Sequence, residues 1–235
     1  MKALILCAGR GTRLRPFTET QPKSLVPVGG KPILEYELDA IRDRVDEIVI
    51  VTGYLDEQLR AHLGTRCTFV HNAEYATTNS VYSMLLAREQ IEGSPFVLFN
   101  GDLVVDPGVV HALLDDAAPT ASLVDSTLEL IDGEMNVVTR EGRIVEFSKK
   151  VSAADGDAQS LQITKFGAED GRRLFARAHE LVSAGETAGF PALAYDRILR
   201  ESAMRPVYRR EGMWFEIDTV EDKEEAEAFL AGRSA

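Results

Sequence analysis

With 235 residues, 45% of them hydrophobic, the chain is long enough to bury one sizeable core, and a single α/β domain spanning 1–235 is expected. A formal net charge of −12 disfavours a nucleic-acid partner, since most of the surface would repel a polyanion, but it leaves room for a small anionic substrate in a local basic pocket. No apolar run approaches a membrane span or a signal peptide, so a cytoplasmic protein with no membrane partner is expected; Cys7 and Cys67 show neither metal-ligand spacing nor a disulfide framework.

The first strand, Lys2 to Leu6, runs into Cys7-Ala8-Gly9-Arg10-Gly11-Thr12-Arg13-Leu14-Arg15-Pro16, with Pro22-Lys23 shortly after. Gly9 and Gly11 let the backbone approach phosphate oxygens, and the amides at the start of the next helix are expected to point at the bound anion. Arg13 and Lys23 add full positive charge, which is most of what phosphoryl or nucleotidyl transfer asks of a protein. A P-loop reading fails because Gly30-Lys31-Pro32 is the nearest approach to Gly-Lys-Ser/Thr; a dinucleotide fingerprint is weak because Leu14 stands where a small residue is needed. The alternative is a tight strand-to-helix turn without a ligand.

Strand-helix alternation continues with helix Ile33 to Arg44, strand Glu47 to Thr52, helix Leu55 to Leu63, strand Cys67 to His71, helix Ser80 to Gln90 and strand Pro95 to Asn100. These units predict a Rossmann-like, mostly parallel mixed sheet with helices on both faces and a ligand crevice beyond the carboxyl ends of the strands. Asn72 to Ser83 carries amides and hydroxyls suited to a base edge and ribose, although Thr78, Asn79 or Ser80 would equally cap the following helix. Asn100-Gly101-Asp102 closes the apolar strand Phe96-Val97-Leu98-Phe99, so Asp102 is a candidate Mg2+ ligand, with an Asx turn as the alternative. Its expected partner is Asp218, in Trp214-Phe215-Glu216-Ile217-Asp218-Thr219; the competing role for Asp218 or Thr219 is capping the last helix, Val220 to Leu230.

Between these, short strands at Ala121 to Val124, Met135 to Thr139, Ile144 to Ser148 and Leu161 to Phe166 suggest a β lid or acceptor subregion at 121–166, with a flexible loop at Val151 to Ala158. Helix Ala168 to Ser183, a break at Gly185 to Gly189, helix Leu193 to Ser202 and strand Val207 to Arg210 complete the chain.

Gly9 to Pro16, Pro22-Lys23, Pro27-Val28, Lys31 to Tyr36, Gly101-Asp102 and Glu216-Ile217-Asp218 together resemble the sugar-phosphate nucleotidyltransferase superfamily over nearly the whole chain. Asn72 to Ser83 looks most like its CTP-using branch, which includes phosphocholine, inositol-1-phosphate and phosphonate cytidylyltransferases. The resemblance implies that an acceptor phosphate or phosphonate oxygen attacks the α-phosphorus of CTP and releases pyrophosphate. Carried onto this chain, Cys7, Ala8, Gly9, Gly11, Thr12, Asn72, Thr78, Asn79, Ser83 and Gly101 hold the nucleotide, and Arg13 and Lys23 neutralise its phosphates. Asp102 and Asp218 bind Mg2+, while Lys149, Gln162 and Trp214 face the acceptor. By itself Lys149 in Ser148-Lys149-Lys150 reads as a solvated surface lysine.

The chain departs from relatives in Gln159 to Phe166, where a Glu and a Gly commonly precede Lys-Phe; a small acceptor is therefore expected rather than a sugar. Trp214, Phe215, Tyr195, Phe190 and Tyr82 would suit a quaternary-ammonium cage, but core packing accounts for most of them equally well. The rivals are a sugar-1-phosphate nucleotidylyltransferase using UTP, dTTP or GTP, and a non-catalytic nucleotide-binding subunit, against which the retention of Lys23, Asp102 and Asp218 speaks. Similar proteins are often homodimers, but no residue stripe demands that here.

Overall fold

Five consecutive buried side chains, Ala3 to Cys7, make β1 (Lys2–Cys7) an inner strand covered on both faces. The computed structural model describes residues 1–233. After β1, the strands in chain order are β2 (Pro27–Val28), β3 (Lys31–Pro32), β4 (Glu47–Thr52), β5 (Thr68–His71), β6 (Phe96–Phe99) and β7 (Leu103–Val105). They continue with β8 (Ala121–Asp125), β9 (Asn136–Arg140), β10 (Arg143–Ser148), β11 (Ala158–Phe166), β12 (Arg205–Tyr208) and β13 (Trp214–Glu216). The helices are α1 (Ile33–Ile41), α2 (Asp56–Leu63), α3 (Ser80–Leu86), α4 (Arg88–Ile91), α5 (Pro107–Asp115), α6 (Ala168–Ser183), α7 (Asp196–Glu201) and α8 (Val220–Arg233). None of the described helices is long and apolar enough to cross a membrane.

The main sheet is mixed and ordered β10-β9-β11-β6-β1-β4-β5, with β8 beside β11 and β12 beside β8. Its β6-β1-β4-β5 half is parallel, and in register Cys7 lies beside Thr52 and Thr52 beside His71. The carboxyl ends of these strands therefore come level, which brings the first loop, Asn72 and Asn100 to one edge, as the alternation predicts. Core clusters cover both faces: Val81, Met84, Phe166, Phe175 and Tyr195 on one, Leu34, Leu38, Leu59, Val109 and Leu113 on the other.

No α-helix follows β1. Residues 12–25 form three short 3-10 turns, Thr12–Leu14, Phe17–Glu19 and Lys23–Leu25, and the first α-helix begins only at Ile33. Pro16, Pro22, Pro27 and Pro32 lack amide hydrogens and force extended neighbours, which denies an earlier helix. The expected helix-terminal anion site is thus corrected to a loop of backbone amides. Two further expected helices are broken: Ser80 to Gln90 divides at Ala87, and Leu193 to Ser202 becomes a 3-10 turn at Pro191–Ala194 followed by α7.

β8 and β11 join the main sheet through β6, leaving β9 and β10 as its outer ribbon. The segment after β10 is pinned: Asn136 Nδ2 donates to the Val151 carbonyl at 3.0 Å and the Ala153 amide to Asp132 at 2.7 Å. The most consequential element absent from the sequence reading is β7, which pairs antiparallel with β13 so that Leu103 faces Glu216. The Ile217 amide donates to the Asp102 carbonyl at 2.9 Å, and this ribbon carries Asp102 to Asp218.

Candidate active site

At the carboxyl edge of the sheet lies a cleft of about 390 Å³. All of the sequence-predicted site residues line it except Trp214. Gly11 is fixed by geometry: its φ is +59°, and a Cβ there would sit 2.9 Å from the Lys23 Cβ. Thr18 Oγ1 donates to the Gly11 carbonyl at 2.8 Å and holds the turn against Lys23. At Gly9 a Cβ would meet nothing within 4 Å, so the space beside it is the cleft itself. Gly101 is constrained from two sides, by a φ of +76° and by the Leu6 carbonyl oxygen 2.7 Å from where a Cβ would stand.

Lys23 is the hub of the floor. Its Nζ donates to Asp102 Oδ2 at 2.9 Å and to Asp218 Oδ1 at 2.5 Å, and Arg13 Nη2 donates to Asp218 Oδ2 at 2.7 Å. Burial by itself would drive the Lys23 ammonium down, but the two carboxylates outweigh it and hold the group above the usual lysine range. Burial also pushes Asp102 up despite Lys23 beside it, whereas Lys23 and Arg13 overcome the burial of Asp218 and hold it low. The competing helix-capping role of Asp218 falls to its neighbours. Thr219 and Asp222 form a reciprocal cap on α8, with the Asp222 amide donating to Thr219 Oγ1 and the Thr219 amide to Asp222 Oδ2.

The opposite wall comes from the β5–α3 loop. Buried Asn72 donates to Thr78 Oγ1 at 3.1 Å and to Ser83 Oγ at 3.0 Å and accepts from the Glu74 amide, so one amide orients both hydroxyls. Asn79 does cap α3, accepting from the Ser80 amide at 2.7 Å, while still lining the cleft. At the far end Gln162 sits on a β11 irregularity with φ +57°. It accepts from Asn100 Nδ2 at 2.7 Å and donates to Glu216 Oε2 at 2.5 Å. Lys149 Nζ lies 5.2 Å from the Phe190 ring centroid at the rim. Behind Gln162 a side cavity of about 20 Å³ is bounded by Met135, Phe147, Phe190 and Tyr195.

A family model, the MobA-like NTP transferase domain, matches residues 3–231. The chain belongs to this family. Among curated relatives, choline-phosphate cytidylyltransferase of Streptococcus pneumoniae is 45% identical over 98 residues, 40% of this chain and 42% of that protein. Bifunctional protein GlmU of Methanococcus aeolicus is 33% identical over 172 residues, 71% and 40% of the two lengths. CMP-5'-(3-aminopropyl)phosphonate synthase of Streptomyces rubellomurinus is 38% identical over 136 residues, 55% and 21%. The chain thus spans less than half the length of these relatives. The solved CTP:phosphocholine cytidylyltransferase of S. pneumoniae superposes with a TM-score of 0.81 at 22% identity, covering 97% of this chain and 98% of that one, which shows a shared fold.

In this NTP transferase domain two site expectations need amendment. Trp214, expected to face the acceptor, does not line the cleft; its indole Nε1 donates to the Leu161 carbonyl at 3.1 Å and its ring packs against the α1/α5 side of the core. Glu216, quoted in the sequence motif without a role, joins the acidic cluster: Asp102, Glu216 and Asp218 each present an oxygen within 4.8 Å of the others. Burial first, then the charges of Asp102 and Asp218, push Glu216 up to about 8. The donor set suits Mg2+, a hard cation that prefers carboxylate oxygens. Asp102 Oδ1 is buried with no hydrogen-bond partner among the described residues, an acceptor that a cation would satisfy.

Proposed function

We propose that this cleft transfers a cytidylyl group from CTP to a small phosphonate or phosphorylated alcohol, of the hydroxymethylphosphonate, aminoethylphosphonate or phosphocholine type, and releases pyrophosphate. The observation that carries this reading is Lys23 held between two half-buried carboxylates beneath the glycine loop. An acceptor oxygen forms a new bond to the α-phosphorus while the bond to the bridging oxygen breaks and leaves with pyrophosphate. Lys23 and Arg13 balance the charge that gathers on the non-bridging oxygens, and the loop amides hold the departing phosphates. Asp102 and Asp218 would hold Mg2+, whose bound charge offsets that of the triphosphate. Asn72 orients Thr78 and Ser83 toward the base and ribose. Lys149 faces the acceptor phosphate, and Gln162 limits what lies beyond it.

The likeness to the choline-phosphate and aminopropylphosphonate enzymes supports the choice of CTP and of a small acceptor. A second reading is transfer to a sugar 1-phosphate from UTP, dTTP or GTP, with which the fold shared with a solved Bacillus anthracis protein assigned as a glucose-1-phosphate thymidylyltransferase is compatible. Pyrophosphate release decides between them when CTP, UTP, dTTP and GTP are each incubated with Mg2+ and choline phosphate, aminoethylphosphonate, hydroxymethylphosphonate, inositol phosphate or sugar 1-phosphates. Silence with CTP across all small acceptors would overturn the first reading.

A further inference from the structure

Glu37 is wholly buried in α1, directly behind the acidic cluster, and among the described residues it forms no ion pair. A carboxyl group taken from water without a cationic partner is costly, so its surroundings must compensate. They do so only in part: the Leu103 amide donates to Glu37 Oε1 at 3.0 Å, with the amides of Asp102 and Gly101 nearby, while Oε2 is buried with no hydrogen-bond partner among the described residues and burial pushes the carboxyl group up. Leu103 is the first residue of β7, and β7 carries β13 with Glu216 and, just beyond, Asp218. The turn it braces leaves no room for a side chain at Gly101, where a Cβ would meet the Leu6 carbonyl and the Cys7 sulfur.

We propose that Glu37 is a positioning residue for the metal site: from α1 it accepts from the Leu103 amide of the Gly101–Leu103 turn and so sets where Asp102, and through the ribbon Asp218, present their oxygens. This rests on the reading that these carboxylates hold a divalent cation. A contact that orients metal ligands from behind is worth about 10- to 100-fold in metal affinity when removed. Hydrogen-bond acceptance, rather than charge, is the operative property. Glu37→Gln keeps an oxygen for the Leu103 amide, Glu37→Asp keeps the carboxyl group but withdraws it by about 1.5 Å, and Glu37→Leu removes the acceptor.

The test is Mn2+ binding to each protein without nucleotide, read from the free-ion electron paramagnetic resonance signal, beside thermal melts that confirm folding. Glu37→Asp and Glu37→Leu are expected to bind Mn2+ about 10- to 100-fold more weakly, and Glu37→Gln within about threefold of wild type. A merely structural role would lower the melting temperature and leave Mn2+ affinity unmoved. If Glu37→Leu does not fold, the Asp and Gln variants decide. Normal Mn2+ uptake by folded Glu37→Asp, or loss in Glu37→Gln as large as in Glu37→Asp, would overturn this proposal alone. Wild-type protein that takes up no Mn2+ would overturn the metal reading together with it. Weakened uptake in Glu37→Asp combined with silence across the acceptor panel would sustain the brace and refute cytidylyl transfer.

Discussion

Replacing Lys23 with methionine separates the two tasks assigned to it. In the ligand-free protein its ammonium lies between Asp102 and Asp218, whose side chains are 14% and 23% exposed. Methionine fills similar space but leaves these carboxylates facing each other with oxygens within 4.8 Å. At an effective dielectric of about 20, unit charges at that separation repel by roughly 3.5 kcal/mol, and removing one partner of a buried ion pair costs a comparable roughly 3–5 kcal/mol. Arg13 beside Asp218 and the partial exposure of both carboxylates relieve some of this, so a net loss of about 3 kcal/mol is expected, a fall in Tm of roughly 6–12 °C for a domain of this size. Mg2+ should then stabilise Lys23→Met more than wild type, because it no longer displaces an ammonium from its ligands and binding to the folded state alone raises stability by mass action. Turnover should nevertheless drop by roughly 30- to 1,000-fold, the equivalent of about 2–4 kcal/mol of lost charge stabilisation. Differential scanning fluorimetry across a Mg2+ series, paired with pyrophosphate release, measures both. An unchanged metal-free Tm, or equal Mg2+ stabilisation of both proteins, would refute the reasoning.

The acidic cluster also makes pH a probe. Because the folded protein raises Glu216 from its ordinary range to about 8, that group's contribution to metal-free stability is full below about pH 4.5 and is lost as pH rises through about 8. Divalent binding should reverse this by favouring the ionised form, so calorimetry in buffers of different ionisation enthalpy is expected to detect proton release on Mn2+ binding at pH 7 and little at pH 9; pH-independent proton release would contradict it. Gln162→Gly removes a non-glycine residue from φ +57° and opens the cleft toward the Met135–Tyr195 side cavity. Bulkier acceptors should gain about tenfold or more in kcat/KM relative to the smallest one, and an unaltered acceptor ranking would exonerate Gln162. Trp214→Phe should cost about 1 kcal/mol of stability through the lost bond to Leu161 while leaving acceptor KM unchanged; a large KM effect would return the indole to the acceptor site.

The parts of this molecule legible in the sequence were those with local signals. Glycines and cations at the end of an apolar strand marked the first loop, and Phe96 to Phe99 followed by Gly101-Asp102 marked the acidic turn of the cleft. What was not legible depended on pairing over long separations. The three residues of β7 are too few to show alternation, and without β7 nothing in Trp214-Phe215-Glu216 says which member reaches the cleft. Trp214 and Glu216 share a face of β13, but they stand about 7 Å apart along the strand, so one packs over Leu161 and the other meets Asp102. Glu37 is silent for a similar reason. In Ile33-Leu34-Glu35-Tyr36-Glu37-Leu38 it reads as an ordinary helix acid, and only the packing of α1 behind the turn gives it a role. The prolines of 16–32 did carry a readable signal, since they are incompatible with a helix directly after β1.

The pairing of β7 with β13 also bears on how the protein comes into being. At about 5–20 residues per second, β7 is made roughly 6–20 s before β13. Throughout that interval a growing polypeptide owns the glycine cradle and Asp102 but lacks the second acidic jaw, Glu216 and Asp218. Nucleotide can meet only half a clamp at that stage. Turnover is therefore a property that arrives only once β13 has been made, and serves as a stringent reporter that β13 has docked on β7.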